Sequence, residues 1–574
     1  MISGIFPTQA AARKPRRRMA AFRRAALLSA LALGLPPAAI AAEREDAALR
    51  VNSAAFTRIT VTLDGEPMTL RRYEAVYVAS PVAMAAEQPA RRMGPGGSPT
   101  ASDKQALANP AAYQSLYVFA PEKAREDSAI ILNVNNGGWF ASELRAGIRE
   151  GGSYSSTSDT DKVGAALAAG YVYVDIGTRG RGIVASDGSY PGHAPAAVVD
   201  TKAAIRWLRL NDAALPGSAE RIVVTGTSGG GGLTTVIAAS GDSRDFFPEL
   251  ARIGAAGIDS KGKSTLSDAV FAAIAYCPIT DLGHADMAYE WLYGPTRSTG
   301  NTASNQWGDA QATASATLAA GYPAYLAGLR LKLADGRGLT AQTMRDAIAA
   351  EVIAEVERHV AAGGKVPARG QPFDVAIPRM FGGSTRVTRT NDWVSVANGK
   401  VTDFDLDAFL GFVAAITPLK PVPAFDRSHN TSNAGIDGEN TLFGRADQAW
   451  SNFTPYGWLA NDVPGDGSGA DDTGVSWPRW IKGEGKTVEK QLRMINALTY
   501  LGTKTKAAPY WYVRHGMIDR DTAFPVEIAL SRAIAGDRDV RNLNFALPWL
   551  TPHSGDYDVQ QAYSWLAEVM ADNK

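Results

Sequence analysis

Cysteine is all but missing from this chain: Cys277 stands alone among 574 residues. One thiol excludes an intramolecular disulfide framework and any thiolate cluster for zinc or iron–sulfur. Neither sign of charge is in excess, with 58 basic against 58 acidic side chains. A nucleic acid or an anionic membrane surface is therefore not favoured as a partner. No apolar run is long enough to span a bilayer, so stable membrane insertion is not expected. Histidine is scarce as well, at positions 193, 284, 359, 429, 515 and 553 only. What is present is an ordinary globular composition, 45% hydrophobic and 20% charged, which excludes coiled-coil, collagen-like and wholly disordered architectures.

The balanced charge is the sum of two unequal parts. Arg13, Lys14, Arg16, Arg17, Arg18, Arg23 and Arg24 precede an apolar stretch from Ala25 to Leu35, which ends in Ala39-Ile40-Ala41. A basic region, a short apolar region and an A-x-A end predict a signal peptide over residues 1–41 and export to a bacterial periplasm or the medium. Its removal takes seven of the 58 basic residues and no acidic one, leaving a formal charge near −7.

Past the leader, texture divides the chain. From Thr57 to Gly283, apolar runs such as Ala129 to Val134, Tyr171 to Ile176, Ile222 to Val224 and Ala272 to Tyr276 alternate with helical periodicity, as at Ala194 to Leu210. That alternation predicts βαβ units and a parallel sheet. It is lost from Gly283 to about Trp480, where Met344, Ile348, Val352, Val356 and Val360 mark an amphipathic helix. A polar loop from Asn461 to Thr473 holds Asp462, Asp466, Asp471 and Asp472, but its spacing fits no EF-hand and reads as solvated. Strand and helix patterns return after Trp480: a helix from Val488 to Leu501, a strand at Tyr510 to Val513, a helix at Phe524 to Ala535, an apolar run at Leu543 to Leu550 and a terminal helix from Val559. The expected organisation is a leader (1–41), a first part of an α/β core (42–282), an inserted, partly helical lid (283–480) and a second core part (481–574). The core is expected to be a mostly parallel sheet flanked by helices.

The most informative motif is Gly226-Thr227-Ser228-Gly229-Gly230, preceded by the β-branched run Ile222 to Thr225 and followed by a helix-compatible stretch. A strand running directly into G-x-S-x-G predicts a nucleophile elbow. Its neighbours must be small because the serine backbone is strained, and the amide of Gly229 faces a developing oxyanion. A second oxyanion donor is expected from Asn135-Asn136-Gly137-Gly138-Trp139, directly after an earlier strand, with Gly137 or Gly138 as the amide. In hydrolases of this type an acid and then a base follow the serine along the chain. His553, in Pro552-His553-Ser554-Gly555 after the last apolar run, is the expected base. In His515-Gly516-Met517-Ile518-Asp519, Asp519 is the expected acid, Asp521 its rival and His515 a strand-end structural residue. His193 and His284 are candidates for supporting contacts, and His359 is expected to be exposed.

Gly257-Ile258-Asp259-Ser260-Lys261-Gly262-Lys263-Ser264 also matches the P-loop expression G-x-x-x-x-G-K-[ST]. Phosphate binding there needs a buried strand immediately before it, whereas Phe246 to Ala256 reads as helix and loop, so a surface loop is expected.

Several longer segments resemble bacterial tannases, and the resemblance runs from about Asn133 to His553. It is carried by Gly226-Thr227-Ser228-Gly229-Gly230-Gly231, by Tyr276-Cys277-Pro278-Ile279-Thr280-Asp281-Leu282 with His284 to Trp291, and by Pro423-Ala424-Phe425-Asp426. Gly438-Glu439-Asn440-Thr441-Leu442-Phe443-Gly444 and Arg514-His515-Gly516 leading to Asp519-Arg520-Asp521-Thr522 complete it. The resemblance implies an α/β-hydrolase with a large inserted lid that releases gallate from galloyl esters, needing no cofactor and no metal. It implies Ser228, Asp519 and His553 as the triad. It also implies Lys420, Glu439 and Asp521 as hydrogen-bond partners of the three ring hydroxyls of gallate. Fungal-type tannases and related feruloyl esterases carry paired cysteines beside the catalytic serine and histidine. Thr227, Gly229, Pro552 and Ser554 stand there instead. The other activities compatible with the core are a broader exported carboxylesterase, a feruloyl-type esterase, a serine peptidase or an inactive binding protein.

Overall fold

The computed structural model describes residues 46–89, 104–297, 308–378, 384–427, 438–459 and 474–572. The leader at 1–41, His429 and the acidic loop at 461–473 lie outside the described residues. In chain order the main sheet comprises β1 (Thr57–Leu63), β2 (Glu66–Val76), β3 (Ser115–Pro121), β4 (Ile130–Val134), β5 (Ser153–Tyr154), β6 (Val172–Ile176), β7 (Ile222–Thr227), β8 (Ala272–Tyr276), β9 (Tyr510–Arg514) and β10 (Asn542–Ala546). Across the sheet they lie in the order β10-β9-β8-β7-β4-β6-β3-β2-β1-β5.

From β6 through β4, β7, β8 and β9 to β10, every neighbouring pair is parallel. β4, β6, β8 and β9 are buried at every residue, because a parallel sheet is covered by helices on both faces. Alternate residues feed two apolar layers: Val174, Val224 and Trp511 point to one, and Tyr173, Val223 and Tyr512 to the other. Helices α1 (Lys162–Ala168), α2 (Ala196–Leu210) and α3 (Gly229–Ala239) run between these strands. The first strands depart from the βαβ expectation. β1, β2 and β3 pair antiparallel, and β3 joins β6 antiparallel; between β1 and β2 the tight turn at Asp64-Gly65 makes a hairpin where a helical crossover has no room.

Between β8 and β9 the chain passes through α4 (Leu282–Arg297), α5 (Asp309–Leu329), α6 (Ala341–Ala361) and α7 (Leu406–Ile416). Two hairpins also lie there, pairing Pro372–Pro378 with Ser384–Thr390 and Val394–Ala397 with Lys400–Phe404. On α6, Met344, Ile348, Val352 and Val356 are fully buried. They belong to the same apolar cluster as Leu233 and Trp511, so the inserted segment shares a core with the sheet. His359 is not simply exposed: its ring stacks on Trp549 with centroids 4.3 Å apart, extending the apolar face of α6 by one turn. After the insertion, the helix Lys486–Met494 is shorter than its sequence pattern. Asn496 caps a separate 3-10 turn by accepting from the Leu498 amide at 3.0 Å. The chain closes with α8 (Phe524–Ala535), β10 and α9 (Val559–Ala571). Among the described residues, no helix is long and apolar enough to cross a membrane.

Candidate active site

Loops leaving the carboxyl ends of parallel strands converge on one edge of the sheet. β7 brings Ser228 to that edge, β4 the Gly137-Gly138 turn, β8 Cys277, β9 the Asp519 loop and β10 His553. Ser228 has φ 62° and ψ −123°, a conformation that costs a non-glycine residue about 1–3 kcal/mol and persists only where surrounding contacts enforce it. They do so here. The Ser228 amide donates to Tyr276 O at 2.9 Å, and its carbonyl accepts from Gly232 at 2.9 Å and Ile279 at 3.0 Å. The flanking glycines are needed sterically. A Cβ on Gly226 would meet Gly230 O at 2.5 Å, and one on Gly229 would meet the Trp139 nitrogen at 2.2 Å and the Gly138 nitrogen at 2.8 Å. The backbone at Gly229 therefore packs directly against the Gly137–Trp139 turn.

Ser228 Oγ lies 2.9 Å from His553 Nε2, and His553 Nδ1 lies 2.8 Å from Asp519 Oδ2. The second carboxylate oxygen of Asp519 accepts from the Asp521 amide at 2.8 Å. Burial works against charge at both members of the imidazole–carboxylate pair. Their mutual attraction outweighs it, holding Asp519 below the usual carboxylate range and raising His553 well above the usual imidazole range, with Asp521 adding to the latter. Asp521 Oδ2 is 3.8 Å from His553 Nδ1, and Arg520 pairs with its other oxygen. Burial opposes the Asp521 charge too, but His553, Arg520 and Lys420 hold its carboxyl below the normal range.

The structure brings Lys420 and Glu439 to the same place. The Lys420 ammonium sits 4.0 Å over the Phe425 ring. Burial pulls its pKa down, opposed first by Glu439 and then by Asp521, so these three side chains form one electrostatic group. Glu439 is 8% exposed and opens the 3-10 segment Glu439–Leu442.

The remaining histidines take no part in this hydrogen-bonded chain. His515 is fully buried, without a partner at either ring nitrogen among the described residues, 3.6 Å from Asp519 Oδ2, and burial lowers its pKa. His193 stacks on Tyr190, with burial pushing its pKa down to about 4. His284 stacks on Tyr325 and bonds Asp281 through Nδ1 at 2.8 Å. The Gly257–Ser264 segment follows the helix Phe247–Arg252 as a loop, with no strand leading into it.

Three neighbours of the site were given no role by the sequence. The Cys277 thiol donates to Ser554 O at 2.9 Å, and burial pushes its pKa up to about 11. Arg520 pairs with Asp521, and Arg181, on the loop after β6, comes within 3.8 Å of Glu439. Of metal-ligating groupings among the described residues, Cys277, Asp519 and His553 have ligand atoms within 4.8 Å of one another.

A doubly covered parallel sheet with a strained serine at its edge defines an α/β-hydrolase of the esterase type. Residues 116–324 match the BD-FAE family, and among curated proteins none matches the chain. Bacterial tannases are among the chain's structural neighbours. The tannin acyl hydrolase from Lactobacillus plantarum is 28% identical, with a TM-score of 0.69 over 91% of this chain and 99% of that one. The tannase of Fusobacterium nucleatum is 25% identical, with a TM-score of 0.69 over the same shares. A tannin acyl hydrolase solved in complex with ethyl gallate is 28% identical, with a TM-score of 0.68 over 91% and 99% of the two chains.

Proposed function

We propose that this protein is an exported tannase, a serine esterase that hydrolyses the galloyl ester and depside bonds of hydrolysable tannins and simple gallate esters to gallic acid. The observation that carries the reading is the chain Asp519–His553–Ser228 at the elbow, with Asp521, Lys420 and Glu439 grouped beside it. A neighbour that binds ethyl gallate supports the choice of acyl group.

In this reading His553 takes the Ser228 proton as Oγ attacks the ester carbonyl. The amides of Gly229 and of Gly137 or Gly138 receive the oxyanion, and a galloyl-enzyme forms. His553 returns the proton to the leaving alcohol and then activates water to release gallate. Glu439 and Asp521 accept from ring hydroxyls and Lys420 donates to one. A benzoate without those hydroxyls forfeits these hydrogen bonds and leaves polar groups of the site without their ring partners, a discrimination that reaches about four to five orders of magnitude in sites of this sort. The inserted segment at 283–480 acts as the lid that keeps bulk water out once the ring is bound. The chemistry is assigned to the chain's own residues, and the partner is the small-molecule galloyl ester.

The test is a panel of methyl gallate, methyl ferulate, p-nitrophenyl butyrate and an aminoacyl amide, run with wild type and Ser228→Ala. Turnover of methyl gallate well above the others, lost in the folded serine variant, is the expected result. Preference for the ferulate, the butyrate or the amide would replace the tannase reading with one of the broader activities.

A further inference from the structure

Arg181 lies in Gly180-Arg181-Gly182 on the loop after β6, matches no motif and is 4% exposed. Its guanidinium lies 4.0 Å over the Phe140 ring. One edge donates through Nε to Gly138 O at 2.5 Å, a carbonyl of the oxyanion turn. The other donates through Nη1 to Gly438 O at 2.5 Å and to Thr441 Oγ1 at 3.3 Å, on the segment that presents Glu439. Nη2 stands 3.8 Å from Glu439 Oε1. The main chain of the same residue is fixed to the turn as well, its amide donating to Trp139 O at 3.1 Å and its carbonyl accepting from Ala141 at 3.2 Å.

One planar group thus spans two segments that the chain separates widely. We propose that Arg181 is a positioning residue that couples acyl-ring recognition at Glu439 to the oxyanion turn at Gly138, so that a correctly held ring and a correctly set amide come as one unit. This rests on the tannase reading, since it gives Glu439 its role at the ring. The physical case is the fork geometry. A guanidinium presents donors in fixed directions along two edges, whereas a lysine ammonium is a single point that cannot serve Gly138 O and Gly438 O together. Removing the fork frees both segments. A displacement of reacting groups by about 1 Å costs on the order of 100-fold in rate.

The experiment compares kcat and KM of wild type, Arg181→Ala and Arg181→Lys on methyl gallate and on p-nitrophenyl butyrate, which has no ring hydroxyls. With Arg181→Ala, kcat/KM on methyl gallate is expected to fall about 100-fold with a raised KM. On the butyrate, the expected loss is about tenfold and confined to kcat. With Arg181→Lys, which retains a positive charge near Glu439 and spares the fold if the alanine variant does not, the methyl gallate KM is expected to recover while kcat stays low. A merely structural role lowers the active fraction, which reduces kcat on both esters by one factor and leaves KM alone. That pattern, or wild-type behaviour in both variants, overturns the coupling while wild-type turnover of methyl gallate keeps the functional reading. A wild type inert towards methyl gallate overturns the functional reading and this inference with it.

Discussion

Asp519→Asn is the sharpest perturbation available, because the hydrogen bonds around the carboxylate dictate how the amide must sit. One oxygen of Asp519 accepts from the Asp521 amide at 2.8 Å, and the other faces His553 Nδ1 at 2.8 Å. An asparagine that keeps its oxygen towards the Asp521 amide turns its NH2 towards His553. The imidazole must then accept at Nδ1 and carry its proton on Nε2, pointing at Ser228 Oγ 2.9 Å away, which leaves no lone pair to act as base. The flipped amide restores the tautomer but sets NH2 against a buried N–H. That unsatisfied contact costs about 1–3 kcal/mol. In either orientation the charged hydrogen bond to the imidazolium formed during attack is lost, about another 1.5–3 kcal/mol. Together these give a fall in kcat of roughly 10³- to 10⁴-fold, in the range that a wrong-tautomer substitution produces in other triads. Both methyl gallate and p-nitrophenyl butyrate should suffer this loss, because both esters need the same proton transfer, and methyl gallate should lose at least as much, because Asp519 also holds the Asp521 backbone. Steady-state kinetics with a thermal melt as the folding control reads the result. A folded variant that keeps more than a tenth of wild-type kcat refutes the role assigned to Asp519.

Two further outcomes follow from the same geometry. Gly229→Ala forces a methyl group into space 2.2 Å from the Trp139 nitrogen and 2.8 Å from the Gly138 nitrogen, prising the oxyanion donors apart. The expected cost is about 10²–10³ in kcat on every ester, and a loss under threefold in a folded variant would falsify the placement of the oxyanion hole there. His553 must be neutral to act as base, and Asp519 and Asp521 raise its pKa, so activity is lost as pH falls through that raised value. Asp521→Asn removes a negative charge 3.8 Å from Nδ1. The acid limb of kcat/KM on p-nitrophenyl butyrate should therefore move to lower pH, and an unmoved limb would show that Asp521 does not act on the imidazole.

Parts of this molecule are legible in the sequence because local pattern and tertiary role coincide there. Ile222 to Thr225 reads as a strand from its β-branched run and is a central strand, so the G-x-S-x-G that follows sits where the motif predicts. Met344, Ile348, Val352 and Val356 announce α6 by their spacing and are its buried face. The hairpin of Pro372–Pro378 with Ser384–Thr390 was not legible. Its second strand, Ser-Thr-Arg-Val-Thr-Arg-Thr, is largely exposed and shows no apolar alternation, so pairing rather than burial makes it a strand. Gly229, Gly137 and Gly138 are suggested by position after strands, and the fold sets Gly229 against the backbone of Gly138 and Trp139. Arg181 had no signal at all. Its partners lie at Gly138 and Gly438, far away along the chain in opposite directions, and only the folding of three loops onto one edge makes that residue special.

The loop after β9 explains why ring recognition and proton transfer are hard to separate in the proposed mechanism. Asp519 and Asp521 alternate around Arg520, and the Asp519 side chain itself fixes the Asp521 backbone through the 2.8 Å bond to its amide. Under the proposed assignment, the carboxylate that orients the base therefore also sets the position of the carboxylate proposed to read the ring. An ionised Asp521 accepts from a phenolic hydroxyl more strongly than a neutral one, and His553, Arg520 and Lys420 hold its pKa down against burial. The same negative charge strengthens His553 as a base. When a ring hydroxyl donates to Asp521, part of that charge is taken up by the new hydrogen bond and its hold on the imidazole weakens. In the proposed mechanism, binding of a galloyl group would thus adjust the base as well as place the ester, which an apolar ring pocket has no means of doing.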